Sequence, residues 1–420
     1  MDKIICGDAL IELKKLPENS VDAIVTDPPA GISFMGKSWD SDKGGKNEWI
    51  KWLSEVMKES LRVLKPGGHA LVWALPRTSH WTGTALEDAG FEIRDCVYHL
   101  FGSGFPKSLD ISKAIDKQAG VERKIIGKRN DGAGNKPNGN SFDDDNFEWK
   151  KEIEITEPST PEAKQWEGWG TSLKPAVECW WLCRKPLSES TVAENVLKWG
   201  TGGLNIDGSR IGTEESTVRE IKNVNREWGG LSKPFTGGST TGRFPANLIH
   251  DGSDVILAEF PNSKAGTNKL EKGTGGIFNE GTNLPVGYEY GDEGSAARFF
   301  YCAKPSSTER NWMRGEFEER GKVFNGQSGK SSKDMKGVKE KFTTTPQMNS
   351  HPTVKSIALM SYLIKLITPP KGIVLDCFAG SGSTLVAAKQ LDHPFIGIEI
   401  YPEYCKIIEG RLNAIPPKLF

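Results

Sequence analysis

A glycine-rich turn lies close to the C-terminal end of this chain. Residues Val374 to Thr384 (VLDCFAGSGST) read as an apolar strand, a tight turn and the start of a helix. Glycines there let backbone approach a ligand closely, and the helix N-terminus adds N–H donors. Glu399 closes the next apolar stretch about 20 residues on, the placement for accepting hydrogen bonds from ribose hydroxyls. Asp376 is a second acid, on the loop's own strand. No Lys follows the glycines, which argues against a P-loop. Only about 40 residues follow the turn, too few for the strands a doubly wound domain needs after its first. Those strands are expected from the N-terminal third, which makes the order circularly permuted.

That third carries the required pattern. Asp22 to Asp27 (DAIVTD) is a buried-type strand ending at two prolines. Glu48 to Leu64 spaces its apolar residues as a helix does, and Lys65-Pro66-Gly67-Gly68 should stop it. His69 to Leu75 is a strand, Ser79 to Ala89 a helix and Phe91 to Leu100 a strand. At the other end, Thr353 to Ile367, Ser383 to Leu391 and Pro402 to Leu412 are helices, and Gly372 to Cys377 and Pro394 to Ile400 strands. Alternating strands and helices imply a parallel sheet covered on both faces.

The middle, roughly Gly102 to Ser350, is rich in Gly, Asn, Ser, Lys and Trp. Residues 142–146, 266–281 and 314–341 read as polar loops. Trp181 to Pro186 and Phe300 to Pro305 end alike, as a structural echo or as chance among aromatic strands. The net charge is −1, so any nucleic-acid contact must come from local basic patches. Seven cysteines occur singly, without metal-ligand spacing, which suits a reduced, cytoplasmic compartment and no metal site. No signal peptide or membrane span is expected.

Asp27-Pro28-Pro29-Ala30 follows the first strand. Two prolines stiffen the backbone and leave carbonyls free to accept. A carboxylate beside a rigid carbonyl can hold an amino group by both its protons and aim its lone pair at an electrophile. In isolation the same residues are a strand terminator.

Together with Phe378-x-Gly380-x-Gly382, this segment resembles the DNA amino-methyltransferases, whose motifs are Asp-Pro-Pro-aromatic and Phe-x-Gly-x-Gly. The catalytic motif comes first here, as in their β group. Cys6-Gly7-Asp8-Ala9, Leu64 to Gly68 and His351-Pro352-Thr353-Val354-Lys355 extend the likeness over most of the first 110 and last 70 residues. Gly31 to Asp40 and Phe101 to Ser108 resemble the phage and prophage branch.

The resemblance implies a circularly permuted Rossmann-like methyltransferase fold, α/β, with seven strands. Its halves would be residues 1–110 and 346–420, with 111–345 an inserted target-recognition region. It implies S-adenosylmethionine bound by Asp8, Ala9, Asp27, Thr353, Lys355, Asp376, Phe378, Ala379, Gly380, Ser381, Gly382 and Glu399. Asp8 could instead simply cap a helix. Asp27, Pro28, Pro29 and Ala30 would form the catalytic loop. The implied partner is double-stranded DNA, with Phe34, Lys37, Trp39, Lys107 and Trp169 on the DNA face. Lys330 to Lys341 would track phosphates or be a solvated loop. The implied reaction is methylation of adenine N6, with cytosine N4 as the alternative, on a base flipped from the duplex. A bacterial or phage-infected cytoplasm and a restriction-modification setting fit, and a homodimer is compatible.

Ala30 departs from the family, where an aromatic ring stacks on the flipped base. Either a Tyr has become Ala, which would weaken catalysis, or Phe34 or Trp39 supplies the ring. Under the first account, Ala30→Tyr should raise methyl transfer at least tenfold. A catalytically silent DNA-binding relative is the further alternative. Cys377, where the family often has Pro, is read as a packing change.

Overall fold

The computed structural model describes residues 2–36, 38–104, 108–130, 152–212, 219–221, 235–237, 242–264, 293–305, 309, 323–324, 327–328, 349 and 351–416. The expected loops at 142–146 and 266–281 and the basic run 330–341 lie outside them, as do Lys37 and Lys107.

Nine strands form one sheet: β1 (Lys3–Cys6), β2 (Val21–Thr26), β3 (Leu64–Ala74), β4 (Glu92–Leu100), β5 (Val177–Arg184), β6 (Leu248–His250), β7 (Tyr301–Cys302), β8 (Val374–Asp376) and β9 (Phe395–Glu399). Their spatial order is β1-β9-β8-β2-β3-β5-β4-β6-β7. The C-terminal pair β8 and β9 therefore lies between the first two strands of the chain, which is the expected permutation. All pairings are parallel except those of β5, which runs antiparallel to both β3 and β4. Strand β2 is buried at every residue, as a central parallel strand must be.

Helices α1 (Ala9–Leu13), α2 (Lys46–Val63) and α3 (Ser79–Asp88) pack one face, with Leu13, Trp49, Leu53, Met57 and Leu86 in that core. Helices α4 (Ile357–Ile367), α5 (Ser383–Gln390) and α6 (Pro402–Ala414) cover the other, around Leu363, Val386, Phe395 and Ile408. Helix α4 is apolar nearly all round and accordingly buried. It begins at Ile357 rather than Thr353 because the Ser356 hydroxyl caps it, leaving Thr353 to Lys355 free to face a ligand.

Two expectations need correction. The sheet has nine strands instead of seven, because short segments at 248–250 and 301–302 extend its far edge. Residues 111–345 are not wholly an insertion, since β5, β6 and β7 come from them and β5 pairs along its length with β3 and β4. Helix α2 ends at Val63, just before Lys65-Pro66-Gly67-Gly68 as expected, and those four residues belong to the start of β3. Pro66 O accepts from Asn195 Nδ2 at 2.8 Å and Thr201 Oγ1 at 2.7 Å, and Gly67, at φ +76°, has no Cβ, which at that position would clash with the Asn195 amide. The echoed segments are no repeat: β5 and β7 run in opposite directions.

Candidate active site

In a parallel sheet the ligand crevice lies at the carboxyl ends of the strands, where loops diverge. Here that edge gathers Asp27 after β2, Asp8 after β1, Asp376 ending β8 and Glu399 ending β9. Because β5 is antiparallel, its first residues reach the same edge, and Glu178 is one of them. A cavity of about 340 Å³ opens there, within the range of small-molecule sites.

The glycine turn is its floor. Gly380 (φ +53°) and Gly382 (φ +77°) occupy left-handed backbone that other residues rarely adopt. A Cβ on Gly380 would lie 3.0 Å from His351 Nε2, and one on Gly382 2.9 Å from Ile408. The Gly380 N–H donates to Glu399 Oε2 at 2.8 Å and the Tyr401 N–H to Oε1 at 2.9 Å, so that carboxylate is aimed by backbone. Burial nevertheless pushes the Glu399 carboxyl up to about 7. Asp376 is committed to the scaffold: Thr26 Oγ1 donates to it at 2.7 Å and the Phe378 N–H at 3.1 Å. Beneath the turn, the fully buried Arg411 donates to Ser381 O at 2.7 Å and to the hydroxyls of Ser381 and Ser383 at 3.1 Å.

Asp27 stands at the opposite wall. Lys355 Nζ lies 3.3 Å from Asp27 Oδ2, 3.7 Å from Glu178 Oε1 and 4.1 Å from the centre of the Trp73 ring. Burial, reinforced by Glu178 and Asp376, lifts the Asp27 carboxyl to about 6 although Lys355 pulls it down. Burial also opposes charge on Glu178, but Lys355 and His99 outweigh it and hold that carboxyl near 2. Lys355 is raised: burial disfavours its ammonium, and its two carboxylates more than restore it.

Of the residues singled out from the sequence, Asp8, Ala9, Asp27, Pro29, Trp39, Thr353, Lys355, Asp376, Phe378, Ala379, Gly380, Ser381 and Glu399 line this one cavity. Asp8 lines the cavity and also caps α1, its Oδ1 accepting from Ile11 N at 3.1 Å. Pro28, Ala30, Phe34 and Gly382 do not line it. Ala30 packs into the core, and its carbonyl accepts from Thr78 Oγ1 at 3.0 Å. Phe34 is held back because the buried Asp40 carboxylate accepts from the N–H groups of Gly31, Ile32 and Phe34. The same fold of the loop brings Trp39 to the cavity, stacked on His351 with ring centres 6.5 Å apart. Trp169 is elsewhere, exposed on a groove with Leu173 and Ser108, its ring 5.0 Å from that of Trp166.

Glu178, Trp73 and His99 escaped the sequence reading. Glu178 is the lone acid of a mainly aromatic and apolar strand, VECWWLCR, which was its signal. Among the described residues no group of three or more His, Cys, Asp or Glu could hold a metal, and no helix is long and apolar enough to cross a membrane.

A family model described as DNA methylase, of the N6/N4 type, matches residues 21–107 and 133–410. The DNA adenine methyltransferase YhdJ of Escherichia coli K12 is 49% identical over 67 residues, 16% of this chain and 22% of that protein. The type II methyltransferase M.HpaI of Haemophilus parainfluenzae is 40% identical over 117 residues, 27% of this chain and 36% of that one. The chain spans 22–40% of the length of the curated relatives it matches. Among solved structures, the cytosine-N4-specific PvuII DNA methyltransferase aligns with 97% of this chain and 85% of its own at 14% identity and TM-score 0.43. The M1.HpyAVI–SAM complex aligns with 98% and 100% at 15% identity and TM-score 0.36.

Proposed function

Since the chain belongs to the DNA methylase family of N6/N4 type, we propose that it methylates the N6 amino group of adenine in double-stranded DNA, with S-adenosylmethionine as methyl donor. The observation that carries this reading is the single cavity joining Asp27 to the glycine turn and Glu399. The lining suits the donor: Glu399 for ribose hydroxyls, Asp8 and the apolar Phe378 and Ile400 for the adenosine, and Gly380, whose missing Cβ leaves room for backbone contact. When bound, S-adenosylmethionine supplies an electrophilic sulfonium methyl, whose C–S electron pair stays on sulfur as the amino nitrogen takes the carbon.

The chain's own residues do the rest. Asp27 accepts from the amino group, orients its lone pair and stands poised to take the released proton, held in place by the stiff Pro28-Pro29 backbone. Lys355 keeps Asp27 ionised, and the buried walls exclude water. Asp at the first motif position and the likeness to YhdJ favour adenine over cytosine. The chain leaves β4, β6 and β7 at this same edge. That placement supports a role for residues 111–345 in target recognition and base flipping. Mass analysis of nucleosides from DNA methylated by the protein tests the reading. N6-methyladenine is expected, and N4-methylcytosine alone would refute the adenine assignment.

Trp39, and not position 30, faces the cavity, which favours it as the ring that meets the flipped base. Base–aromatic stacking is worth about 1–3 kcal/mol. Trp39→Ala should therefore lower kcat/KM about tenfold, while Ala30→Tyr leaves it within threefold. A large gain in Ala30→Tyr would instead mark Ala30 as the deficit.

A further inference from the structure

Four ionisable groups from separate parts of the chain form a line at the motif, the first three half-buried and the last buried: Asp27, Lys355, Glu178 and His99. Lys355 Nζ sits between the two carboxylates, at 3.3 and 3.7 Å, over the face of Trp73. Glu178 Oε2 lies 3.9 Å from His99 Nδ1. His99 is buried, and among the described residues neither of its ring nitrogens has a hydrogen-bond partner. Asp376 also faces Asp27, and His250 and Asp251 face His99. With one cation and two carboxylates, the Asp27–Lys355–Glu178 group carries a formal −1.

A simple ion pair would leave the catalytic carboxylate neutralised by its own lysine. A buried ammonium with a single counter-ion would draw fully onto Asp27 and compete with the substrate amino group for it. The second carboxylate changes that. We propose that Glu178 is a positioning residue for the catalytic carboxylate: by sharing the Lys355 ammonium, it leaves Asp27 Oδ1 free to accept from the substrate. Asp27 Oδ1 indeed accepts no hydrogen bond from any described residue, whereas Oδ2 faces Lys355. The excess negative charge also suits a reaction in which positive charge passes from sulfonium to the amino nitrogen. Glu178 repels charge on Asp27, so it raises that carboxyl's proton affinity and makes it a better acceptor.

The inference rests on the methyltransferase reading for its consequence, but its test need not. In Glu178→Gln the Asp27 carboxyl, followed by carbon-13 NMR of labelled aspartate, should titrate about one pH unit lower. The acid limb of kcat should move down with it, kcat above pH 7 should fall about tenfold, and S-adenosylmethionine affinity should stay within threefold. Glu178→Asp keeps the charge but withdraws it by one methylene, so it should fall between. It is also the variant to measure if Glu178→Gln does not fold. An Asp27 titration and an acid limb unmoved in both variants would overturn the inference. Absence of methyl transfer by the unaltered protein would instead defeat the functional reading, while the Asp27 titration would still judge Glu178.

Discussion

Exchanging Asp27 for asparagine should lower methyl transfer by about a thousandfold while S-adenosylmethionine still binds within a few fold. The side chain keeps its size, so the cavity wall survives. Its charge is lost, and with it the acceptor that fixes both the direction of the amino lone pair and the destination of its proton. Preorganised electrostatic groups of this kind are worth about 10²–10³ in kcat, and positioned general bases about 10²–10⁴. The exchange also leaves Lys355 with only Glu178 as counter-charge. Single-turnover transfer to duplex DNA, beside equilibrium binding of the methyl donor, separates the two effects. Transfer within tenfold of the unaltered rate would remove Asp27 from the chemistry.

Glu399→Gln should raise the dissociation constant of S-adenosylmethionine about a hundredfold. Hydrogen bonds to a charged group contribute roughly 1.5–3 kcal/mol, and each tenfold in affinity is about 1.4 kcal/mol. The amide also has one acceptor oxygen where the carboxylate has two. Either Gly380 N–H or Tyr401 N–H then loses its partner, and the turn loosens. The same group sets a pH dependence. Its carboxyl sits at about 7 in the free protein, and the ionised form is the better acceptor for ribose hydroxyls. Affinity should therefore be constant well above pH 7 and weaken as the pH falls through it. In Glu399→Gln this slope should vanish. Calorimetric titration at several pH values measures both, and a flat profile in the unaltered protein would rule out Glu399 as the ribose acceptor.

Most of the cavity wall was legible because its signals are local. A run such as VLDCFAGSGST encodes its strand, its left-handed turn and its helix start within a dozen residues. An acid ending the next strand follows at a fixed remove. The double proline after β2 is equally local. Helix ends were readable to within a few residues except at Ser356, whose capping hydroxyl moved the start of α4. The short strands β1 and β6, of four and three residues, went unread. So few residues carry no periodicity, and such strands exist only because a neighbour supplies their hydrogen bonds.

The chain's order of motifs thus determined by itself that the sheet is permuted and that its glycine turn and Asp27 belong to the same edge. Tertiary structure alone decided the remainder. Nothing within VECWWLCR says that it will lie between β3 and β4 and run against both, since pairing partners are chosen by long-range packing. Yet that reversal brings Glu178 to the catalytic edge and against Lys355. For the same reason Ala30, next to the motif in sequence, packs into the core, while Trp39, nine residues on, reaches the cavity after the Asp40 carboxylate folds the loop back. Proximity along the chain placed the turn and the motif; the electrostatics around Asp27 required distant segments to be packed together.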